Sequence, residues 1–225
     1  MSLTVRGNLY TWGRAQGGRL GHGEGEQDVL KPKQIYIISQ KNPVFISAGE
    51  SHSAVITDKG KVYTWGSGGF GRLGHGPESG KECVPRLVEG LQNENVVRLS
   101  CGALHTLALT KRGEIYTWGQ NKYGKLGIHF QNSKDGDVHH VPVRISIYKC
   151  NLGVGEPKKV KKKIINCVAS FNHSVFMDKT GKLYTCGYPG KGLIGRAKDF
   201  YTLPLPLGLG LSYTQTFKSL NSSFV

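Results

Sequence analysis

The sequence predicts an all-β fold, and three observations carry this prediction. The tetrapeptide YTWG stands at residues 10–13, 63–66 and 116–119, and a variant, YTCG, stands at 184–187. Short segments rich in β-branched and aromatic residues surround the copies and are bounded by glycine-containing turns, as expected for strands. No segment has a sustained helical period. A unit of about 50 residues with three or four short strands is typical of one blade of a β-propeller.

The repeat extends beyond the tetrapeptide. The glycines that open each copy are separated by 53, 53 and 68 residues, and they are Gly7, Gly60, Gly113 and Gly181. Three further markers keep the same spacing: a second glycine (Gly21, Gly74, Gly127, Gly195), a proline (Pro32, Pro85, Pro206, with Pro142 four residues late) and a histidine followed by Ser or Thr (His52, His105, His173). The predicted units are 1–51, 52–104, 105–172 and 173–225, all within one domain, 1–225. The third unit carries a 15-residue insertion.

The repeated aromatic and histidine positions are interpreted as structural. Because side chains alternate across a strand, one large ring per unit can fill the wedge between neighbouring sheets. This role is assigned to Trp12, Trp65 and Trp118. Cys186 replaces the fourth tryptophan, so we expect a smaller contact and a looser junction there. His52, His105 and His173 are expected to hold turns by hydrogen bonds rather than to converge on a metal.

No catalytic, cofactor-binding or metal-binding residue is predicted, and the chain is not expected to be an enzyme. The glycine-rich stretch Gly66–Gly71 lacks the Gly-Lys-Ser/Thr ending of a phosphate-binding loop. No paired carboxylates or Ser-His-Asp order stand out. Five cysteines without a C-x-x-C pair argue against a disulfide framework or structural zinc site and favour a reducing compartment.

The net charge of +15 predicts an acidic partner. The insertion, at about 128–163, contains five lysines in seven residues and is expected to be a mobile loop. Its lysines are candidates for partner contact or nuclear import, or else are merely solvated; they are Lys158, Lys159, Lys161, Lys162 and Lys163. Nucleic-acid binding rests on charge alone. We expect no secretory leader before Leu9, no membrane span, and a cytoplasmic or nuclear location.

The combined motif resembles the RCC1 (regulator of chromosome condensation 1) repeat. It reads G-x-[LVI]-Y-T-W-G, four residues, G-[RK]-L-G, then proline, an apolar strand and G-x-x-H-[ST]. Ser170 departs from this pattern where glycine is usual. The resemblance covers essentially the whole chain and implies a ring of seven blades. About four units therefore predict a partial propeller, either an open form or a fragment of such a ring, with edges available for self-association.

The resemblance implies two functions. The first is a non-catalytic scaffold for protein partners. The alternative is a guanine-nucleotide exchange factor or chromatin-associated regulator of a Ran-like small GTPase, which would act on the GTPase or on an acidic chromatin surface. In the founding member of the family an insertion after the Tyr-Thr-Trp-Gly-like word wedges out the nucleotide. Here the closing glycine of the tetrapeptide and the next repeated glycine are eight positions apart in every unit. This constant spacing leaves no room for the insertion, so the wedge is absent from these units.

Overall fold

The computed structural model describes residues 1–25, 27–128, 136–149, 158–188, 190 and 204–206. These residues form antiparallel sheets and almost no helix, which confirms the all-β prediction. One sheet has three strands, three sheets have four strands, and a two-stranded hairpin lies between the third and fourth sheets in sequence. The sheets do not close into a ring. The chain is therefore a partial propeller.

The strands follow one order in every sheet. The first sheet contains β1 (Ser2–Leu3), β2 (Leu9–Gly13) and β3 (Val29–Gln34), and a short helix α1 (Tyr36–Ser39) follows it. The second sheet contains β4 (Pro43–Ala48), β5 (His52–Thr57), β6 (Val62–Ser67) and β7 (Lys81–Leu87). The third contains β8 (Val96–Cys101), β9 (His105–Thr110), β10 (Ile115–Gln120) and β11 (Val138–Ile145). The hairpin is β12 (Ile147–Lys149) with β13 (Lys158–Val160), and the fourth sheet is β14 (Ile164–Ala169), β15 (His173–Asp178), β16 (Leu183–Gly187) and β17 (Leu205–Pro206).

In the second and third sheets, the YTWG tetrapeptide lies in the third strand, which pairs with the strand that begins at the histidine. Trp65 lies opposite Ser53, and Trp118 lies opposite Thr106. A bulge interrupts pairing with the following strand at each tryptophan, as between Thr64 and Gly66. The histidine strands β5 and β9 are buried along their whole length, so each forms the middle of a blade.

The sheets are offset by one strand from the units that begin at a histidine. The strand that precedes each histidine, such as β4, pairs with the histidine strand and so belongs to the same sheet. The first strands of successive sheets, β4, β8 and β14, pack beside one another. Three apolar clusters fill the spaces between sheets, and the largest side chains in them include Trp65, Trp118 and Phe176.

The register of the fourth sheet corrects one repeat marker. Thr185 pairs with Leu205, as Thr64 pairs with Arg86 and Thr117 with Val143. Pro204, and not Pro206, therefore occupies the position of Pro85 and Pro142, so the expected proline was wrong by two residues. The markers Ile194 and Gly195, and most of the tail of the predicted unit 173–225, lie outside the described residues.

The third-unit insertion also differs in part from the expected loop. Residues 129–135 and 150–157 lie outside the described residues, but β12 and β13 form a regular antiparallel hairpin. Ile147 pairs with Val160 across this hairpin and joins the core cluster that contains Phe176. Apolar β-branched residues on both strands give the hairpin a buried face, which favours the pairing of the two strands.

Candidate functional site: blade junctions and rims

Each buried tryptophan seals the junction with the preceding blade. Trp65 and Trp118 have no exposed surface. The Nε1 group of Trp118 donates a hydrogen bond to the carbonyl of Arg72 (2.9 Å), and that of Trp65 donates to the carbonyl of Arg19 (3.1 Å). The indole lies directly on the glycine of the preceding G-[RK]-L-G turn. A Cβ at Gly74 would lie 2.9 Å from Nε1 of Trp118, which explains why this marker is glycine.

The hydroxyl beside each histidine joins the same junction. Thr106 Oγ1 donates to the Arg72 carbonyl (2.8 Å), so that carbonyl accepts from both Thr106 and Trp118. Thr106 Oγ1 also lies 2.9 Å from Nε2 of His52 in the preceding blade. The next junction repeats the arrangement, with Ser174 Oγ 2.6 Å from the Lys125 carbonyl and 3.0 Å from Nε2 of His105. Three sequence elements of the repeat therefore meet at the blade junction: the YTWG or YTCG tetrapeptide, the His-Ser/Thr pair and the G-[RK]-L-G turn.

The hydrogen bonds determine the tautomer of the junction histidines. The single proton of the Thr106 hydroxyl is used on the Arg72 carbonyl, so His52 must donate through Nε2–H. Nδ1 of His52 and Nδ1 of His105 are then buried acceptors, and neither has a hydrogen-bond partner among the described residues. Burial, followed by the charge of Arg72, lowers the pKa of His52 to about 3. Both histidines are thus neutral parts of a packed interface.

Neighbouring junction histidines lie near one another, because His52 contacts the hydroxyl of Thr106, which directly follows His105. Burial lowers the pKa of His105 well below its ordinary value, and Lys125, His52 and His173 lower it further by charge repulsion. Burial lowers the pKa of His173 as well. The structure therefore brings the predicted histidines into one row across successive blades. Among the described residues, no group of three or more His, Cys, Asp or Glu side chains could hold a metal ion.

The junction before the fourth sheet uses Cys186 in place of tryptophan. The Cys186 side chain is fully buried, and its Sγ lies 3.5 Å from the Lys125 carbonyl. Pro204 fills part of the remaining space, because a Cβ at Gly127 would lie 2.8 Å from the Pro204 ring. The smaller side chain is thus accompanied by a proline contact that the sequence had not indicated. None of the four cysteines among the described residues forms a disulfide.

Trp12 does not fill a wedge in this chain. Its side chain is 39% exposed, whereas Trp65 and Trp118 are fully buried. Trp12 lies in the first sheet, and within the described residues no preceding blade offers it a G-[RK]-L-G turn. The wedge-filling role predicted for all three tryptophans therefore applies here to two of them.

Ser170 occupies a position where glycine is required in the two preceding blades. A Cβ at Gly49 would lie 2.4 Å from the carbonyl oxygen of Gly102, and a Cβ at Gly102 would lie 2.5 Å from that of Ser170. The turn itself is unchanged, since Ser170 N–H bonds to the His173 carbonyl (2.9 Å), as Gly102 N–H bonds to His105 (2.8 Å). Ser170 belongs to the last described sheet, so no later carbonyl among the described residues crowds its side chain.

A second set of hydrogen bonds holds the G-[RK]-L-G turn within the first and second blades. Thr64 Oγ1 donates to the Leu73 carbonyl (2.7 Å) and accepts from Nε2 of His75 (2.9 Å). Thr11 and His22 repeat this pair in the first sheet. In the third sheet Ile128 stands where the histidine would be, and Thr117 Oγ1 is buried without a hydrogen-bond partner among the described residues.

Two buried cations were missed by sequence reasoning. Lys125 is fully buried, and its Nζ donates to Gln120 and to Asn172 in the next blade (3.0 Å). Arg72 is 6% exposed and donates to the Ala103 carbonyl, again in the next blade (3.2 Å). The available signal was the recurrence of a basic residue before Leu-Gly in the repeat. These cations bridge blades and are not free to bind a ligand.

Aromatic side chains mark the rim that carries these turns. Phe70 and Tyr123 occupy equivalent positions and have left-handed φ angles of 59° and 62°. The Phe70 side chain is 49% exposed, while the ring of Tyr123 packs against that of Tyr188 in the next blade, with centroids 4.8 Å apart and the ring planes tilted by 49°. Non-glycine residues in this backbone region are uncommon and concentrate at functional positions. The sequence signal was indirect, since Gly17 stands at the same position of the first unit.

The predicted lysine contacts lie on the opposite rim, beside the tips of the hairpins that join the second and third strands. Lys159, Lys161 and Lys163 are exposed, and Lys162 Nζ lies 3.7 Å from Asp178. Lys158 belongs to β13. The structure thus places this run along the boundary between the third and fourth sheets. No helix within the described part of the chain has the length and apolarity needed to span a bilayer.

Fold and junctions together define a class: an open segment of a β-propeller whose blades are joined by a set of side chains that recurs along the chain. Models of the Regulator of chromosome condensation (RCC1) repeat match residues 6–56, 59–109 and 112–177. A second model of the same repeat matches residues 44–72 and 96–125. The chain belongs to the RCC1-repeat family, which confirms the resemblance.

Known proteins with similar sequences and structures are longer. The human E3 ubiquitin-protein ligase HERC2 is 36% identical over 201 residues, covering 88% of this chain and 4% of HERC2. Protein RCC2 of Mus musculus is 29% identical over 207 residues, covering 88% of this chain and 39% of RCC2. Prp20p from Saccharomyces cerevisiae has a similar structure, with a TM-score of 0.74 at 21% identity, covering 92% of this chain and 48% of Prp20p. The chain thus spans less than half of each.

Proposed function

We propose that this chain is a non-catalytic protein-interaction scaffold built from RCC1 repeats. One observation carries the proposal: the recurring polar side chains are used inside the structure. The junction histidines, the adjacent hydroxyls and the buried cations bond to the neighbouring blade. The rims, in contrast, expose side chains that suit protein contacts. Phe70 is a half-exposed ring on a strained backbone, and aromatic side chains are enriched at interfaces.

The scaffold proposal is tested by photo-crosslinking from the aromatic rim. A photoreactive phenylalanine replaces Phe70 in the full chain, and a second preparation carries it at Tyr36, which is exposed on the short helix after the first sheet. We expect discrete protein adducts from position 70 in cells and different or no adducts from position 36. The same diffuse adducts from both positions would contradict a specific rim contact.

A second candidate is exchange activity on a small GTPase, with an acidic chromatin surface as a further contact. The charge of +15 supports it, as does membership of a family in which the structure of Prp20p is described with its binding to Gsp1p and histones. A panel of small GTPases loaded with fluorescent GDP separates the candidates. The scaffold proposal expects no change in the release rate. Acceleration of about tenfold or more for any GTPase would replace it with the exchange function.

A further inference from the structure

We propose that the groove between the third and fourth blades binds an acidic, extended segment of a protein partner. This inference rests on the proposed scaffold function and names the chemistry of one partner. The groove has a volume of about 920 Å³ and lies at the hairpin-tip rim, opposite the aromatic rim. It is called the lysine groove below, and six of the basic residues that line it are Arg112, Arg144, Lys159, Lys161, Lys163 and Lys179.

The few carboxylates in the lysine groove are already engaged. Glu114 pairs with Arg112 (3.1 Å) and with Arg144 (3.0 Å). The side chain of Asp178 is 1% exposed. It accepts hydrogen bonds from the backbone N–H of Thr180 (2.8 Å) and from the hydroxyl of Tyr184 (3.0 Å). Neither carboxylate is therefore available to balance the remaining lysines.

Four lysines supply the uncompensated charge. Lys159, Lys161, Lys163 and Lys179 are exposed, and none forms an ion pair with an acidic side chain in the part of the chain that the structure describes. Their mutual repulsion within one groove is relieved by an anionic ligand. At the corresponding edge of the second blade, Asn95 packs on Gly60 where Lys163 packs on Gly113, so one of these charges is absent there.

The shape of the groove favours a polypeptide over a nucleic acid. Its wall includes β13, which pairs with β12 on one side and has no strand partner on the other among the described residues. An extended peptide can add to such an edge through main-chain hydrogen bonds. Val160 packs on the apolar cluster that contains Phe176, whereas the residues on either side of it, Lys159 and Lys161, are exposed, so the wall presents positive charge at alternate positions. The described side chains that line the groove include no aromatic ring, so they offer single-stranded nucleic acid no stacking platform.

The test uses a fluorescein-labelled ten-residue peptide of alternating Glu and Val, followed by anisotropy with the full chain at low salt. The expected result is saturable binding that K159Q/K161Q/K163Q/K179Q weakens by about tenfold or more. The control K31Q/K33Q/K41Q/K59Q removes the same charge from exposed lysines of the first two blades and leaves the affinity within about twofold. A peptide with Gln in place of Glu should not bind. Matching melting temperatures for both variants exclude a folding effect.

Three outcomes overturn the proposal. Equal loss of affinity in both quadruple variants means that overall charge, and not the groove, attracts the peptide. Absence of saturable binding removes the groove as a peptide site. Tighter binding of a single-stranded oligonucleotide of equal charge, lost in the groove variant, assigns the groove to nucleic acid instead. The crosslinking test at Phe70 is independent, so failure of the lysine groove and failure of the scaffold function are distinguishable.

Discussion

Nε2 of His52 and Oγ1 of Thr106 lie 2.9 Å apart across the boundary between two blades, and both residues are buried. The same contact recurs between His105 and Ser174. Each hydroxyl donates its hydrogen bond to the carbonyl of a basic residue in the preceding blade, so the histidine must be the donor in the contact between hydroxyl and ring. The histidine of the repeat is therefore a donor that joins blades.

The junction histidines should make stability depend on pH. Burial lowers the pKa of His52 to about 3 in the folded chain. Below pH 6.5, therefore, His52 binds a proton in the unfolded chain but stays neutral in the folded chain. The contribution of His52 to the free energy of unfolding is complete above pH 6.5 and is lost as the pH falls towards 3. We expect the free energy of unfolding to fall by about 2 kcal/mol per such histidine between pH 7 and pH 5. Urea titrations measure this fall, and His52→Phe should reduce it, whereas an unchanged slope would contradict the assignment.

The glycine under each tryptophan should tolerate no side chain. Gly74→Ala brings Cβ to 2.9 Å from Nε1 of Trp118, whereas Gly76→Ala meets no atom within 4 Å. Both glycines have positive φ, 80° and 100°, so backbone strain is common to the two variants. We expect Gly74→Ala to be less stable than Gly76→Ala by about 2 kcal/mol, from overpacking. Thermal unfolding gives the comparison, and equal destabilisation would show that the indole does not rest on Gly74.

The threonines of the repeated word should differ between blades. Thr64→Val removes the hydroxyl that bonds to the Leu73 carbonyl and to Nε2 of His75, and we expect a loss of about 2 kcal/mol. Thr117→Val removes a buried hydroxyl that has no partner among the described residues, so it should be neutral or stabilising by up to about 1 kcal/mol. Denaturant midpoints of the two variants test this. Similar losses at both positions would mean that Thr117 does form a hydrogen bond.

The repeat was predictable from sequence because its markers recur at a fixed spacing, and a fixed spacing in a strand-forming sequence implies equivalent places in successive blades. What each marker touches was not predictable, since the contacts join residues 54 and 69 positions apart, as in His52–Thr106 and His105–Ser174. The fourth blade was the least predictable. There the proline two residues before Pro206 packs beside Cys186, and only strand pairing reveals that register.

The candidate surfaces were partly predictable. The lysine run stood out by composition, but its grouping with Arg112, Arg144 and Lys179 depends on how two blades meet. Phe70 and Tyr123 carried no compositional signal. Their significance comes from a left-handed backbone that the sequence would assign to glycine.

A double-mutant cycle on His52 and Thr106 tests the central claim, that the repeated polar residues join blades, most directly. The free energy of unfolding is measured at pH 7.5 for the parent chain, His52→Phe, Thr106→Val and the double variant. The structure predicts a coupling energy of about 1–2 kcal/mol, because each single change leaves a buried polar group without its partner. A coupling energy within about 0.3 kcal/mol of zero would contradict the junction bond and with it the structural role of the histidine.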